Sequence, residues 1–260
     1  MDTATLFSVR GKVAVVTGGS RGIGRMIADG LVRSGVRVYI SARKADACDA
    51  AAREMSELGE CFSVPADLST RAGVDRLVAA VGERESAVGL LVNNAGATWG
   101  APLEEFPDDA WGKVLSTNVK AVFDLTVGFL PLLRAAATPD DPGRVINIGS
   151  IDGIRVPATD NYPYAASKAA VHMLTRQLAH RLAGEHVTVN AIAPGPFPSK
   201  MMSFILDADG GEEMVSATVP LGRVGRPDDV AGAVLFLSSR AGSYLTGAVI
   251  PVDGGLSTHG

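Results

Sequence analysis

The chain has 260 residues, 47% of them hydrophobic and 20% charged, which is enough apolar material for a large core and too little charge for disorder. A formal net charge of −4, with acidic and basic residues mixed along the whole length, offers no positive field to nucleic-acid phosphates or anionic lipid, so neither partner is expected. Cys48 and Cys61 lack any CxxC or histidine-rich company, so no metal site or disulfide framework is expected and both read as thiols of a reducing compartment.

From the N-terminus, Met1 to Arg10 lacks the basic patch and apolar run of a signal peptide, and no segment is apolar for long enough to span a bilayer, so a cytoplasmic protein without membrane contact is expected. Lys12 to Thr17 is a short β-branched run ended by a glycine-rich turn, and Ile23 to Ser34 carries apolar residues at helical spacing. Gly35 supplies a C-cap before the strand Val36 to Ser41, which completes a βαβ unit. The alternation continues with a helix at Ala45 to Leu58, a strand near Cys61 to Val64, a helix around Val74 to Val81 and the strand Leu90 to Asn93. A long helical stretch is expected over Asp109 to Ala136, interrupted by Pro131, then a turn at Thr138 to Gly143 and the strand Arg144 to Ile148. Tyr164 to Leu182 reads as helix, Val187 to Ile192 as strand, Asp228 to Leu237 as helix and Val249 to Val252 as the last strand. Strands apolar throughout, alternating with helices, imply an α/β fold with a doubly wound parallel sheet covered on both faces. Without repeat, low-complexity tract or linker, residues 1–260 read as one Rossmann-type domain, with a substrate lid expected over about 195–220 in the Pro-, Met- and Gly-rich segment.

Between the first strand and the first helix lies Thr17-Gly18-Gly19-Ser20-Arg21-Gly22-Ile23-Gly24. Glycines there let backbone N–H groups approach a diphosphate while the helix offers its positive end; the plain alternative is an ordinary βα turn. A different class shares the pattern, since Gly18-Gly19-Ser20-Arg21-Gly22 also matches the G-x-S-x-G elbow of serine hydrolases. That elbow belongs deeper in its sheet, and none of His172, His180, His186 and His259 sits in an obvious catalytic loop. The second strand ends Ser41-Ala42-Arg43-Lys44, with no carboxylate to bind a ribose 2′-hydroxyl. Arg43 and Arg21 could instead pair with a 2′-phosphate, which favours NADP(H), unless Arg43 merely faces solvent.

Tyr164-Ala165-Ala166-Ser167-Lys168 places a phenol and an ammonium four residues apart, on one helix face. A free phenol has a pKa of about 10, and a nearby cation favours its phenolate, which is the role expected of Lys168; the plain reading is a tyrosine packed on a lysine stem. Tyr162, six residues from Lys168 and followed by Pro163, is expected to face elsewhere. Ser150 follows a buried strand, where ligands of open α/β sheets bind, and could hydrogen-bond a carbonyl oxygen or be a simple turn serine.

In order along the chain, Thr17-Gly18-x-x-x-Gly22-x-Gly24, Asp67-Leu68, Asn93-Asn94-Ala95-Gly96, Asn118, Ser150, Tyr164-x-x-x-Lys168, Pro194-Gly195 and Asp253-Gly254-Gly255 resemble the short-chain dehydrogenases/reductases over essentially the whole length. Within them, Arg144 to Ser150 and Gly247 to Gly255 resemble bacterial 3-oxoacyl-(acyl-carrier-protein) reductases of the rhamnolipid-synthesis variety. The resemblance implies a reductase in which Tyr164 protonates a ketone oxygen, Ser150 steadies that oxygen, Lys168 lowers the tyrosine pKa and binds the nicotinamide ribose, and Asn118 holds a water for proton supply. Asn118 could otherwise simply kink its helix. The resemblance also implies a cofactor set of Gly18, Ser20, Arg21, Gly22, Ile23, Gly24, Arg43, Asp67, Leu68, Asn94, Tyr164, Lys168, Pro194, Gly195 and Ser199. Asp67 and Leu68 fall to the adenine, Asn94 to the adenosine ribose, and Ser199 to the nicotinamide carboxamide in place of the family's threonine, with Pro196 and Pro198 departing from the usual pattern. It further implies a homodimer or homotetramer packed through the helices around Asn118 and Tyr164. Phe197, Met201, Met202, Phe204, Ile205 and Leu206 give the lid more apolar surface than a loop needs, which suits a 3-oxoacyl thioester substrate, on an acyl carrier protein or coenzyme A, or equally a neighbouring subunit. A sugar or polyol dehydrogenase and a non-catalytic nucleotide-binding regulator are the alternatives.

Overall fold

Seven apolar segments become the strands of one sheet: β1 (Val13–Thr17), β2 (Arg37–Ser41), β3 (Cys61–Ser63), β4 (Leu90–Asn93), β5 (Gly143–Ile148), β6 (Val187–Pro194) and β7 (Val249–Val252). All pair in parallel, in the order β3-β2-β1-β4-β5-β6-β7. The computed structural model describes residues 2–200 and 202–258, without the side chain of Phe204. The helices are α1 (Thr3–Leu6), α2 (Gly22–Arg33), α3 (Ala45–Ser56), α4 (Arg71–Gly82), α5 (Asp108–Leu115), α6 (Ala121–Ala136), α7 (Tyr162–Leu182), α8 (Ser203–Leu206), α9 (Gly211–Thr218) and α10 (Pro227–Ser238).

Alternation along each strand divides the core in two. Ala14 and Val16 of β1, Leu90 and Val92 of β4, and Ile146 and Ile148 of β5 meet the apolar stripes of α2, α3 and α10. Val15, Leu91 and Val145 point the other way, onto α4, α6 and α7. A strand enclosed on both faces gains from apolar residues at every position, which is why these segments carry no polar half. The chain winds outward from β1 through β2 and β3, then returns to start again at β4. This reversal leaves a crevice beyond the carboxyl ends of β1 and β4, where an open sheet binds its ligand.

Three elements differ from expectation. The stretch expected as one helix over Asp109 to Ala136 is α5 and α6 joined by a π-helical turn, Ser116–Lys120, while Pro131 lies inside α6 without ending it. Single π turns arise where a helix is re-aimed by its surroundings, and this one carries the buried Asn118. Second, α7 begins at Tyr162 rather than Tyr164, because Pro163 is tolerated in a first turn, where its missing N–H has no partner to lose. Third, the expected lid loop is partly helical, containing α8 and α9. Its Phe197 is buried at 2% exposure against Gly225, within the core below α2 and α10, so this ring is a packing residue and not lid surface. Met201 and the Phe204 side chain lie outside the described residues.

Candidate active site

One cleft of about 750 Å³ runs across the carboxyl edge of the sheet, within the size range of pre-formed ligand sites. Of the expected site residues, Gly18, Ser20, Arg21, Gly22, Ile23, Gly24, Arg43, Asp67, Leu68, Asn94, Ser150, Tyr164, Lys168, Pro194, Gly195 and Ser199 all line it. Asn118 does not, and sits behind the wall.

At the β1 end, φ is +67° at Gly18 and +54° at Gly22, left-handed conformations that suit glycine. A Cβ on Gly24 would fall 2.3 Å from Asn94 Nδ2 and 2.4 Å from the Gly18 carbonyl oxygen, so only glycine lets α2 start this close to the turn. The first turn of α2 has no capping side chain, since Arg21 at the N-cap makes no such bond; its N–H groups are therefore open to an anion. This bare, donor-lined floor fits the diphosphate of a dinucleotide. Arg21 and Arg43 are exposed beside it, and among the described residues neither has a carboxylate at ion-pair distance.

Asn94 is chiefly a brace in this structure. Its Nδ2 donates to the Thr17 carbonyl at 2.8 Å, and its backbone N–H donates to Thr17 Oγ1 at 2.9 Å. Thr17 Oγ1 also accepts from Ala95 N at 3.0 Å, which makes this threonine the knot between β1 and the loop after β4. It closes the β1 motif, and a hydroxyl at 1% exposure must find partners. Asp67 is exposed at the edge of the cleft, where the Ser69 hydroxyl and backbone, with Arg43 nearby, hold its carboxyl below the usual range.

At the β5 end, Ser150, Tyr164 and Lys168 converge. Ser150 Oγ accepts from Asp152 N at 3.1 Å, and its O–H is the donor beside the Tyr164 phenol. Lys168 is 5% exposed, donates to the Ile148 carbonyl at 2.8 Å, and holds its Nζ 5.4 Å from the centre of the Tyr164 ring. Burial dominates the electrostatics of the pair. Tyr164 is half-buried with its hydroxyl end enclosed, and that burial pushes the phenol up to about 12, only partly offset by the Ser150 hydroxyl and reinforced by Asp152. Lys168 is itself pulled down to about 8 by burial, against Asp152. The ammonium lies over the ring and gives one proton to Ile148, and desolvation is the largest influence on the phenol. Tyr162 faces away, its hydroxyl donating to Asp160 at 2.9 Å and its ring edge-on to Phe106.

Asn118, 1% exposed, is tied on every side: Oδ1 accepts from Ala97 N at 2.7 Å, and Nδ2 donates to Ala97 O and Ser167 Oγ, both at 2.9 Å. Both amide protons are used, so this side chain ties the loop after β4 to α7. Ser167, between Tyr164 and Lys168, is the partner that sequence reasoning missed; being 0% exposed, it follows the inward side of the helix that the lysine marks. His172, one turn beyond Lys168, packs behind the Ser150 loop, where a Cβ on Gly149 would meet its Nε2 at 2.2 Å. Burial, with Lys168 beside it, pulls this imidazole down to about 4. Among the described residues no hydrogen bond joins Ser20 to a histidine, and His259 lies outside them.

Among the described residues no helix is long and apolar enough to cross a membrane, and no cluster of potential metal ligands occurs. A family model described as enoyl-(acyl carrier protein) reductase matches residues 18–257. The rhamnolipids biosynthesis 3-oxoacyl-(acyl-carrier-protein) reductase of Pseudomonas aeruginosa is 51% identical over 249 residues, covering 96% of this chain and 97% of that one. The Pseudomonas aeruginosa RhlG/NADP active-site complex superposes with a TM-score of 0.95 at 50% identity, over 97% of this chain and 99% of that one. A gluconate 5-dehydrogenase from Burkholderia cenocepacia J2315, solved with NADP and tartrate, matches with a TM-score of 0.90 at 30% identity over 100% of both chains. With its parallel sheet, its glycine turn and these relatives, the chain belongs to the short-chain dehydrogenase/reductase family.

Proposed function

We propose that this protein reduces a ketone to a secondary alcohol with NADPH, and that the ketone is a 3-oxoacyl thioester. The observation that carries this reading is that Ser150, Tyr164 and Lys168 occupy one end of the cleft whose other end is the Gly18–Gly24 floor with Arg21 and Arg43. Bound NADPH would supply the hydride. A phenol pushed up to about 12 stays protonated at neutral pH and can donate to a carbonyl oxygen. The O–H of Ser150 would donate to the same oxygen, and Lys168 would offset the charge left on the tyrosine. The Asn118 brace holds the Ala97 loop against α7, so its share in proton supply is positional. Arg21 and Arg43 would take a 2′-phosphate, in keeping with the NADP complexes of the two solved relatives.

Met202, Ile205 and Val215 line the cleft and suit an acyl chain, as does the name of the Pseudomonas reductase. The likeness to a gluconate 5-dehydrogenase favours a sugar acid as the second reading, and a panel of 3-oxoacyl thioesters of increasing length against keto-sugars separates the two. The lid role of residues 195–220 belongs to this same reading, supported by the place of Ser199 and Met202 on the cleft wall. Exposed Trp111, Leu115, Phe123, Val127 and Met173 on α5, α6 and α7 support a homodimer or homotetramer through those helices. Free, buried Cys48 and Cys61 support a cytoplasmic setting.

The test is Tyr164→Phe, assayed by NADPH absorbance loss with a 3-oxoacyl thioester. Turnover should fall by about 10²–10⁴-fold, the usual worth of a general acid, while NADPH affinity changes only a few-fold. Near-normal turnover would refute the assignment.

A further inference from the structure

Although the chain is net acidic, the cleft is not. Arg21, Arg43, Lys44, Lys113, Arg155, Lys168 and Lys200 line it, against Asp67 and Asp152. Strand order separates these cations into groups. Arg21, Arg43 and Lys44 follow β1 and β2, on the half where the glycine floor lies. Lys113, Arg155 and Lys200 come from segments following β4, β5 and β6, on the half that holds Ser150 and Tyr164. The proposed reaction uses none of these three.

Arg155 is the most informative. Its Nε is buried without a hydrogen-bond partner, and among the described residues no carboxylate lies at ion-pair distance from its guanidinium. Asp152, the carboxylate on that side, accepts instead from Asn161 Nδ2 at 3.2 Å. A buried guanidinium nitrogen without an acceptor is costly, and its planar fork matches an oxyanion. Lys113 also lines the cleft, with its Nζ 5.0 Å from the centre of the Trp99 ring, and Lys200 is exposed. Like charges gathered in a concave, partly apolar site focus field on whatever enters.

We propose that Arg155, assisted by Lys113 and Lys200, is a specificity-determining residue that binds an oxyanion carried by the substrate at a distance from its ketone. The inference rests on the reductase reading, because it takes the Tyr164 end as the substrate end. Two sources share this chemistry: the phosphate of a phosphopantetheine thioester arm and the carboxylate of a keto-sugar acid. A neutral ketone would leave the guanidinium unmatched.

Equilibrium titration of the NADP-loaded protein with two probe pairs tests this. S-acetoacetyl-4′-phosphopantetheine and S-acetoacetylpantetheine differ by a phosphate, and 5-keto-D-gluconate and L-sorbose differ by a carboxylate in place of a hydroxymethyl group. The charged member of one pair should bind tighter by roughly 10- to 100-fold, the range of a charge-assisted hydrogen bond or two, and that pair identifies the source. The ratio should fall toward one in Arg155→Gln and be partly kept in Arg155→Lys. If Arg155→Gln does not fold, Arg155→Lys combined with Lys113→Gln decides in the same way. A ratio near one in both pairs, or a ratio unmoved by these variants, overturns the inference. Binding ratios need no turnover, whereas the reductase reading falls with normal turnover of Tyr164→Phe, so the two failures are told apart.

Discussion

Gly24→Ala adds one methyl group at the tightest point of the glycine floor. The new carbon would lie 2.3 Å from Asn94 Nδ2 and 2.4 Å from the Gly18 carbonyl oxygen. The carbonyl belongs to backbone fixed by β1, so Asn94 must move. Moving it breaks the 2.8 Å bond to the Thr17 carbonyl, a loss of about 1–3 kcal/mol for buried groups left unpaired. Crowding adds about 1–3 kcal/mol, and better helix propensity returns at most about 1 kcal/mol. The net loss is about 1–6 kcal/mol, or a fall in Tm of roughly 2–24 °C for a chain of this size. Gly112→Ala is the control: that glycine is also helical, in α5, but a Cβ there meets nothing within 4 Å, so the propensity gain stands alone and Tm should rise slightly. Thermal melts by circular dichroism, with NADPH titrations alongside, read both variants. Equal Tm values for the two would refute the claim that Asn94 and the turn are packed to contact.

Three other outcomes are expected. Burial lowers Lys168 from 10.5 to about 8, so between those values the unfolded chain holds a proton that the folded one has released, and stability rises with pH through that window by up to about 3 kcal/mol. Lys168→Met should flatten the rise in denaturant unfolding on either side of the window as well as losing turnover; an unchanged slope counts against the buried ammonium. His172, lowered from 6.5 to about 4 chiefly by burial, works in the acid range: its contribution is present above 6.5 and is lost as pH falls toward 4, again up to about 3 kcal/mol. His172→Gln should make the protein less acid-labile, and acid unfolding at the wild-type midpoint would contradict this. Finally, Arg43→Glu should weaken NADPH by roughly 10- to 100-fold, as expected for a lost charge-assisted contact, with far less effect on NADH. Equal losses for the two cofactors, measured by fluorescence titration, would remove the 2′-phosphate contact.

The parts of the site legible in the sequence were those encoded locally. Tyr164 and Lys168 share a helix face because their spacing says so, and Thr17 to Gly24 is a contiguous turn whose geometry depends on its own glycines. Asn118 was visible as a polar residue in a helical run, but its partners Ala97 and Ser167 come from two other segments, so its bracing role was not. Phe197 looked like lid surface because it opens the apolar cluster of a Pro-, Met- and Gly-rich segment; Gly225, distant in the chain, provides the slot that buries it. The net shift at Tyr164 was not legible for a related reason. Spacing gives proximity, but the sign of a pKa shift depends on how much water remains around both groups.

By itself, the sequence determined the alternation of buried strands and helices, hence a parallel sheet covered on both faces, because an apolar run is rewarded only where both sides are dry. It also determined which residues meet within one turn of helix or one tight loop, since backbone geometry alone sets those distances. Only the tertiary structure decided that β1 and β4 lie side by side, opening the crevice between the two windings, and that the charged residues lining this crevice are mainly cations in a net-acidic chain. Burial and long-range electrostatics arise from segments far apart in sequence, and they acquire values only when the sheet brings those segments to one edge.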